Sequence, residues 1–276
     1  MPRCAWLGRG SRYFAIVFID THAHLYHKQF ASDRDDMVQR ALEAGVKRMY
    51  LPNIDLESIE PMHELVDRYP DVCFPMMGLH PGSVGADPSR DLKEIERELH
   101  TGRYHAVGEI GIDLYWDKTY IDQQKEVFRQ QIRWAKDLHL PIVIHARDSF
   151  NEVFSIVEEE NEERLCGVFH CFTGTAEQAA LIVGLGGFLL GIGGVITFPK
   201  AGLAETMADV GAEHCVLETD APYLAPIPWR GKRNESAYIP YVATRLAEVT
   251  GMNVDRIGAI TTRNAEKLFG VDRTRK

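Results

Sequence analysis

Six residues able to bind a metal ion stand directly behind short apolar runs. They are His22 and His24, then Glu109, His145, His170 and Asp220. Four imidazoles and two carboxylates make a nitrogen–oxygen donor set. Such a set suits Zn, Mn, Co or Mg rather than a thiolate cluster. Six donors exceed what one tetrahedral ion with an open position needs, so the set predicts two divalent ions per chain. Two dications ~3.75 Å apart repel by roughly 18 kcal/mol at an effective dielectric of 20. A bridging anion must offset that, and a carboxylate has two oxygens to share. Glu109 takes the bridging place. His22, His24 and Asp220 are assigned to the first ion, His145 and His170 to the second. Water bound between two such ions ionises near pH ~7 instead of ~15.7. The expected chemistry is hydrolysis by a metal-activated hydroxide, with Glu109 and Asp220 as the catalytic carboxylates and Asp220 accepting the water's proton.

Taken singly, each donor has an ordinary counterpart. A buried histidine can be a satisfied core residue, and a lone carboxylate can cap a helix or pair with a cation. With eleven histidines in the chain, an accidental H-x-H arises about 0.4 times. The weight lies in the ordered set, because six separate accidents would have to fall at strand ends. Cys171 beside His170 is set aside as a ligand, since neighbours on a strand point to opposite faces.

Strand and helix patterns alternate along the chain with no long linker. Apolar runs at 46–51, 72–79, 106–107, 141–145, 167–169, 188–191 and 215–217 follow the first run at 14–19. Helical periods intervene at 34–44, 56–69, 92–99, 122–139, 150–160, 175–185, 201–210 and 239–250, with a last one over 253–268. Ser32-Asp33 and Asp148-Ser149 read as helix caps, and Gly45 as a helix stop. Strand starts recur every ~25–30 residues, the spacing of βα units. Eight such units predict a TIM (β/α)₈ barrel, whose parallel strands deliver all their C-terminal ends to one face. An open doubly wound sheet is the lesser alternative. The glycines between Gly184 and Gly194 contain neither G-x-G-x-x-G nor G-K-[ST], so they read as tight packing at a strand. Gly193 and Gly194 could still offer backbone N–H groups to a phosphate.

The formal net charge of −9 argues against a sequence-independent coat for duplex nucleic acid. The five cysteines include no C-x-x-C, which fits reduced thiols and a cytoplasmic location. No apolar stretch is long and uninterrupted enough to span a membrane, and nothing implies an obligate protein partner. Residues 1–13 read as a dispensable leader, and 14–276 as one barrel domain.

Seven segments carry a resemblance. They are Phe18-Ile-Asp-Thr-His-Ala-His24, Gly78-Leu-His-Pro81, Gly108-Glu-Ile-Gly-Ile-Asp113, Ile144-His-Ala-Arg147, Phe169-His-Cys-Phe-Thr-Gly174, Glu218-Thr-Asp-Ala-Pro-Tyr223 and Arg230-Gly-Lys-Arg-Asn234. In this order they resemble the TatD family of metal-dependent hydrolases over about residues 17–270. The resemblance implies a TIM barrel of the amidohydrolase superfamily. It also implies a deoxyribonuclease-type activity, 3′→5′ exonuclease cleavage of single strands with divalent metals, and carries the six ligands onto the positions above. One departure is Ser236, where the family usually shows proline after Asn-Glu; another is the unmatched leader.

The metals define hydrolysis but not the scissile bond. His80, Arg147, Arg230, Lys232, Arg233 and Asn234 fall on loops at the predicted metal face. His80, Arg147, Arg230, Arg233 and Asn234 are the candidate substrate-binding residues, for single-stranded nucleic-acid ends or small phosphodiesters. Tyr115, Trp116, Tyr223 and Trp229 either stack bases or pack their loops. The alternative substrate is a carbonyl compound, cleaved by a D-aminoacyl-tRNA deacylase, amidase or lactonase with the same metals. It would leave the arginines without a task. A barrel kept only as a scaffold for partners predicts loss of the ligands, and all six are present.

Overall fold

The structure is a computed structural model and describes residues 16–162 and 165–270. The leader expected over residues 1–13 lies outside the described residues. Eight strands run β1 (Phe18–Asp20), β2 (Val46–Pro52), β3 (Cys73–Met76), β4 (Val107–Asp113), β5 (Ile142–Arg147), β6 (Gly167–Phe169), β7 (Phe188–Ile192) and β8 (Cys215–Leu217). All pair in parallel, as β1-β2-β3 and as β4 through β8. Both seams are joined. The Thr21 N–H donates to the Leu217 carbonyl at 3.0 Å, and the Met77 N–H to the Ala106 carbonyl at 3.1 Å. Parallel bridges pair Ala23 with Ala221 and Met77 with Val107. The eight strands therefore form the ring of a TIM barrel.

The helices are α1 (Arg34–Glu43), α2 (Leu56–Arg68), α3 (Ser89–Leu99), α4 (Ile121–Leu138), α5 (Phe150–Glu160), α6 (Ala176–Gly184), α7 (Leu203–Val210), α8 (Ile239–Thr250) and α9 (Val254–Phe269). Two caps differ from expectation. Asp33 stands at the N-cap of α1 without capping it, because its carboxylate is taken by Arg233 and Arg40. Ser149 does not cap α5 either, since its hydroxyl donates to the Ile112 carbonyl at 2.6 Å. No described helix is long and apolar enough to cross a membrane.

The apolar side chains fall into two clusters. One fills the layer between strands and helices. The other contains Ile19, Tyr50, Met76, Ala106, Val143, Val168 and Val216, one from each of seven strands or their ends, with Ala265, Leu268 and Phe269 of α9. This is the barrel interior, with α9 plugging its lower end; Phe269 stacks on Tyr50 at 4.1 Å. Side chains on a strand alternate with period two. Two residues above Val143, Val168 and Val216 come His145, His170 and Glu218, which therefore point inward at the upper end.

Candidate metal centre

The upper end of the barrel gathers all six predicted donors around Glu109. The two Glu109 oxygens face different groups. Oε2 lies 3.2 Å from His22 Nε2 and 3.5 Å from His24 Nε2, and Asp220 Oδ1 is 3.8 and 3.5 Å from those same nitrogens. Oε1 lies 2.8 Å from His145 Nδ1 and 2.9 Å from His170 Nε2. His80, expected among the substrate ligands, also reaches this centre, with Nε2 at 3.5 Å from Glu109 Oε1.

Neighbouring groups fix which nitrogen carries the proton in three of the rings. The Tyr26 hydroxyl donates to the Pro52 carbonyl at 2.6 Å, so towards His24 Nδ1, 3.0 Å away, it must accept. His24 then carries its proton on Nδ1 and turns a lone pair on Nε2 towards Glu109 and Asp220. His145 Nε2 lies 2.9 Å from Asp113 Oδ2, which takes that proton and leaves Nδ1 for the centre. The reverse holds for His80: the Gly82 N–H donates to Nδ1 at 3.0 Å, so Nε2 carries the hydrogen and points inward as a donor. Such outer partners normally set the orientation and tautomer of metal-binding imidazoles.

The electrostatics follow from crowding. Burial pushes the Glu109 carboxyl up, but His170, His80 and His22 outweigh it and hold the group well below the usual carboxylate range. Burial likewise works against the Asp220 carboxylate, yet the surrounding imidazoles of His24, His170 and His22 keep its carboxyl low. Burial, with His170 beside it, pushes His22 down. Burial opposes the charged form of His170 too, yet Glu109 and Glu218 raise it well above the ordinary histidine range. Neither ring nitrogen of the fully buried His22 makes a hydrogen bond. A buried lone pair with no donor near it is costly in a purely structural role and fitting for a cation ligand. His22, His24 and Glu109 offer one donor atom each within 4.8 Å of one another. The residues present thus fit divalent metal.

Two further carboxylates support the centre from behind and, like Asp113, are not among the predicted site residues. Glu218 is fully buried; its Oε1 accepts from the Cys171 N–H at 2.6 Å and lies 3.4 Å from His170 Nδ1. A Cβ on Gly191 would stand 2.2 Å from Glu218 Oε2, so only glycine leaves room for this carboxylate. Asp20 accepts from Thr219 N at 3.0 Å, Thr219 Oγ1 at 2.6 Å, Ser236 Oγ at 2.6 Å and His22 N at 3.3 Å. Burial pushes the Asp20 carboxyl up to about 7 against those hydrogen bonds. Ser236, the departure from the family pattern, thus supplies a bond that proline could not. The period-two alternation through Val216 and through Glu109 was the signal that could have found Glu218 and Asp113.

The remaining candidates divide. The Arg147 guanidinium lies over Tyr115 at 3.8 Å and Arg230 over Phe198 at 4.4 Å, and neither has an ion pair among the described residues. Arg233 is engaged within the protein: it grips Asp33 through two bonds of 2.7 Å and donates to the Gln29 carbonyl at 2.8 Å. Asn234 is fully buried, its amide donating to the Thr219 and Tyr223 carbonyls at 2.7 Å each. Both were expected among the substrate-binding residues, and both have their polar groups engaged within the protein. They tie the loop after β8 to α1 and hold the backbone around Asp220, whose φ is +57°.

A parallel barrel with histidines and carboxylates at its C-terminal strand ends is the architecture of a metal-dependent hydrolase. The comparisons narrow this class. The family model for TatD related DNase matches residues 19–270, and the chain belongs to that family. An uncharacterized metal-dependent hydrolase of Bacillus subtilis, YabD, is 38% identical over 93% of this chain and 100% of its own. The 3′-5′ ssDNA/RNA exonuclease TatD of Escherichia fergusonii is 32% identical over 91% of this chain and 98% of its own. The crystal structure of YJJV, a TatD homologue from Escherichia coli K12, matches with a TM-score of 0.86 at 30% identity, covering 92% of this chain and 98% of that one.

Proposed function

We propose that this hydrolase is a nuclease that binds two divalent cations, Zn, Mn, Mg or Co, and cleaves phosphodiester bonds from the 3′ end of single-stranded DNA. His22, His24 and Asp220 would hold one ion, His145 and His170 the other, and Glu109 both. When bound, such ions polarise a phosphoryl oxygen and bring the ionisation of water near neutral pH. The chain's own groups do the rest. Asp220 is ionised at neutral pH and accepts the proton of the attacking water at its carboxylate. His80 presents Nε2–H to a phosphoryl oxygen, where a neutral donor stabilises developing charge. Arg147 and Arg230 hold the phosphates on either side.

The observation that carries the phosphodiester reading over carbonyl hydrolysis is the pair of mouth arginines without acidic partners among the described residues. Arg40 and Arg233, by contrast, are held by carboxylates. A simple amide or lactone gives two free guanidiniums no task, whereas a phosphodiester does. The name of the Escherichia fergusonii relative points the same way. The expected setting is the cytoplasm, with no partner protein required.

The test is a side-by-side assay of metal-loaded protein on end-labelled single-stranded DNA, a D-aminoacyl-tRNA and simple amides and lactones, with Glu109→Ala as control. We expect stepwise shortening of the DNA from its 3′ end and none with the variant. Turnover of the carbonyl substrates alone would overturn the reading.

A further inference from the structure

We propose that Trp116, Tyr115 and Arg147 form a stacking platform for one unpaired base beside the scissile phosphate, and that this platform selects single strands. The inference rests on the phosphodiester reading above.

Three observations carry it. Trp116 is 77% exposed and Tyr115 52%, with ring centroids 4.7 Å apart edge to face. A ring three-quarters in water is not packing its own loop, and exposed aromatic surface beside a catalytic cluster marks a ligand contact. Secondly, Arg147 is held by ring faces, 3.8 Å from Tyr115 and 5.4 Å from Trp116, rather than by a carboxylate. A guanidinium held this way keeps its N–H groups for phosphate oxygens while its plane continues the aromatic surface. Thirdly, the platform is built onto the metal centre. The Tyr115 N–H donates to Asp113 Oδ1 at 2.9 Å, and the other oxygen of that carboxylate lies 2.9 Å from His145 Nε2. The Leu114 N–H donates to the Arg147 carbonyl at 2.9 Å, locking the two strand ends together. Rings and guanidinium therefore keep a fixed offset from His145.

Any base has a face to stack, so the platform tolerates sequence. A base inside a duplex is stacked on both faces and cannot lie on Trp116 without leaving the helix, and a terminal base must first break its pair to follow the strand into the site, each of which costs energy. Arg147 at the inner edge would hold the phosphate that links the stacked nucleotide to the cleaved one.

The test combines binding and kinetics. Chelator-treated protein is titrated with a short single-stranded oligodeoxynucleotide while tryptophan fluorescence is followed. Quenching is expected in the wild type and greatly reduced in Trp116→Phe, which binds but no longer reports. In metal-loaded enzyme, Trp116→Ala should raise KM by roughly ten-fold, the size of one base stack, and Trp116→Phe should restore most of it. Substrates with one abasic site among the terminal nucleotides locate the contact. At one position the missing base should cost the wild type about what Trp116→Ala costs, and cost that variant nothing more. Equal abasic penalties in both proteins at every position would overturn the platform. So would equal quenching by an acidic peptide, which would make the rings a protein contact. A wild type that cleaves no nucleic acid yet shows base-dependent quenching sinks the nuclease reading and leaves the platform standing. Cleavage indifferent to Trp116 does the reverse.

Discussion

Three imidazoles at this centre are told which way to hold their proton by a partner outside the cluster. Tyr26 instructs His24, Asp113 instructs His145, and the Gly82 amide instructs His80. Glu218 stands in the same relation to His170, with the difference that it also holds the Cys171 backbone, whose φ is +46°. Glu218→Gln separates the two tasks, because glutamine can still accept from the Cys171 N–H but carries no charge towards His170 Nδ1. Outer partners of metal-bound histidines are worth about 10–100-fold in affinity. We expect metal affinity in Glu218→Gln to fall within that range, measured by competition with a chelator, while the melting temperature stays close to that of the wild type. Unchanged affinity would show that Glu218 serves only the backbone.

At the level of elements, α4 does more than cover the barrel. Phe128, Ile132, Ala135 and Leu138 give it an apolar stripe, yet its buried face also carries Gln124 and Gln131. Gln131 pairs with both the N–H and the carbonyl of Leu79, at 2.7 and 3.1 Å, next to His80. Gln124 makes the same clamp on Asp113 at 2.9 and 3.3 Å. Gln131→Leu leaves two buried backbone groups unpaired, at a cost of about 1–3 kcal/mol each. The expected result is a lower melting temperature in calorimetry and a loss of activity exceeding the fraction unfolded, since His80 loses its mooring. A second element-level link joins α1 to the loop after β8 through Asp33, Arg233, Arg40 and Glu235. Hydrogen bonds from Arg233 and Arg40 hold the Asp33 carboxyl well below the usual carboxylate range. The unfolded chain therefore takes up this proton at a higher pH than the folded one. The stability Asp33 contributes is complete above the ordinary carboxylate range and drains away as pH falls below it. Melting curves of wild type and Asp33→Asn should be well separated at pH 7 and draw steadily closer as the solution is acidified below pH ~4.

For the molecule as a whole, the barrel is sealed below by α9 and holds a crowded set of buried histidines and carboxylates above. A group that binds only the folded chain stabilises it by mass action, by ~2.7 kcal/mol at a free concentration a hundred times Kd. For a chain of this size that corresponds to roughly 5–10 °C in melting temperature. Chelation should lower the melting temperature by this order, and readding Zn or Mn should restore it. A melting temperature indifferent to both would deny that the cluster binds cations.

The sequence by itself determined the βα rhythm and the places where donors leave the strands. Period-two and period-3.6 patterns are local, so α4 appears at Ile121–Leu138 against an expected 122–139, and β5, β6 and β8 bring their residues up on the expected segments. Seven short motifs, in order, were also enough to mark the family. Which of the charged loop residues face the centre was decided only by tertiary structure. Arg230, Arg233 and Asn234 sit within five residues of one another, yet Arg233 is drawn to Asp33, exactly 200 positions away in sequence, and Asn234 turns inward to the Thr219 carbonyl. The same holds for Glu218, whose place behind His170 depends on the gap left by Gly191 on the neighbouring strand. A hydrogen bond of 2.7 Å between distant residues leaves no period in the chain. It exists only once the ring has closed and set the two partners side by side.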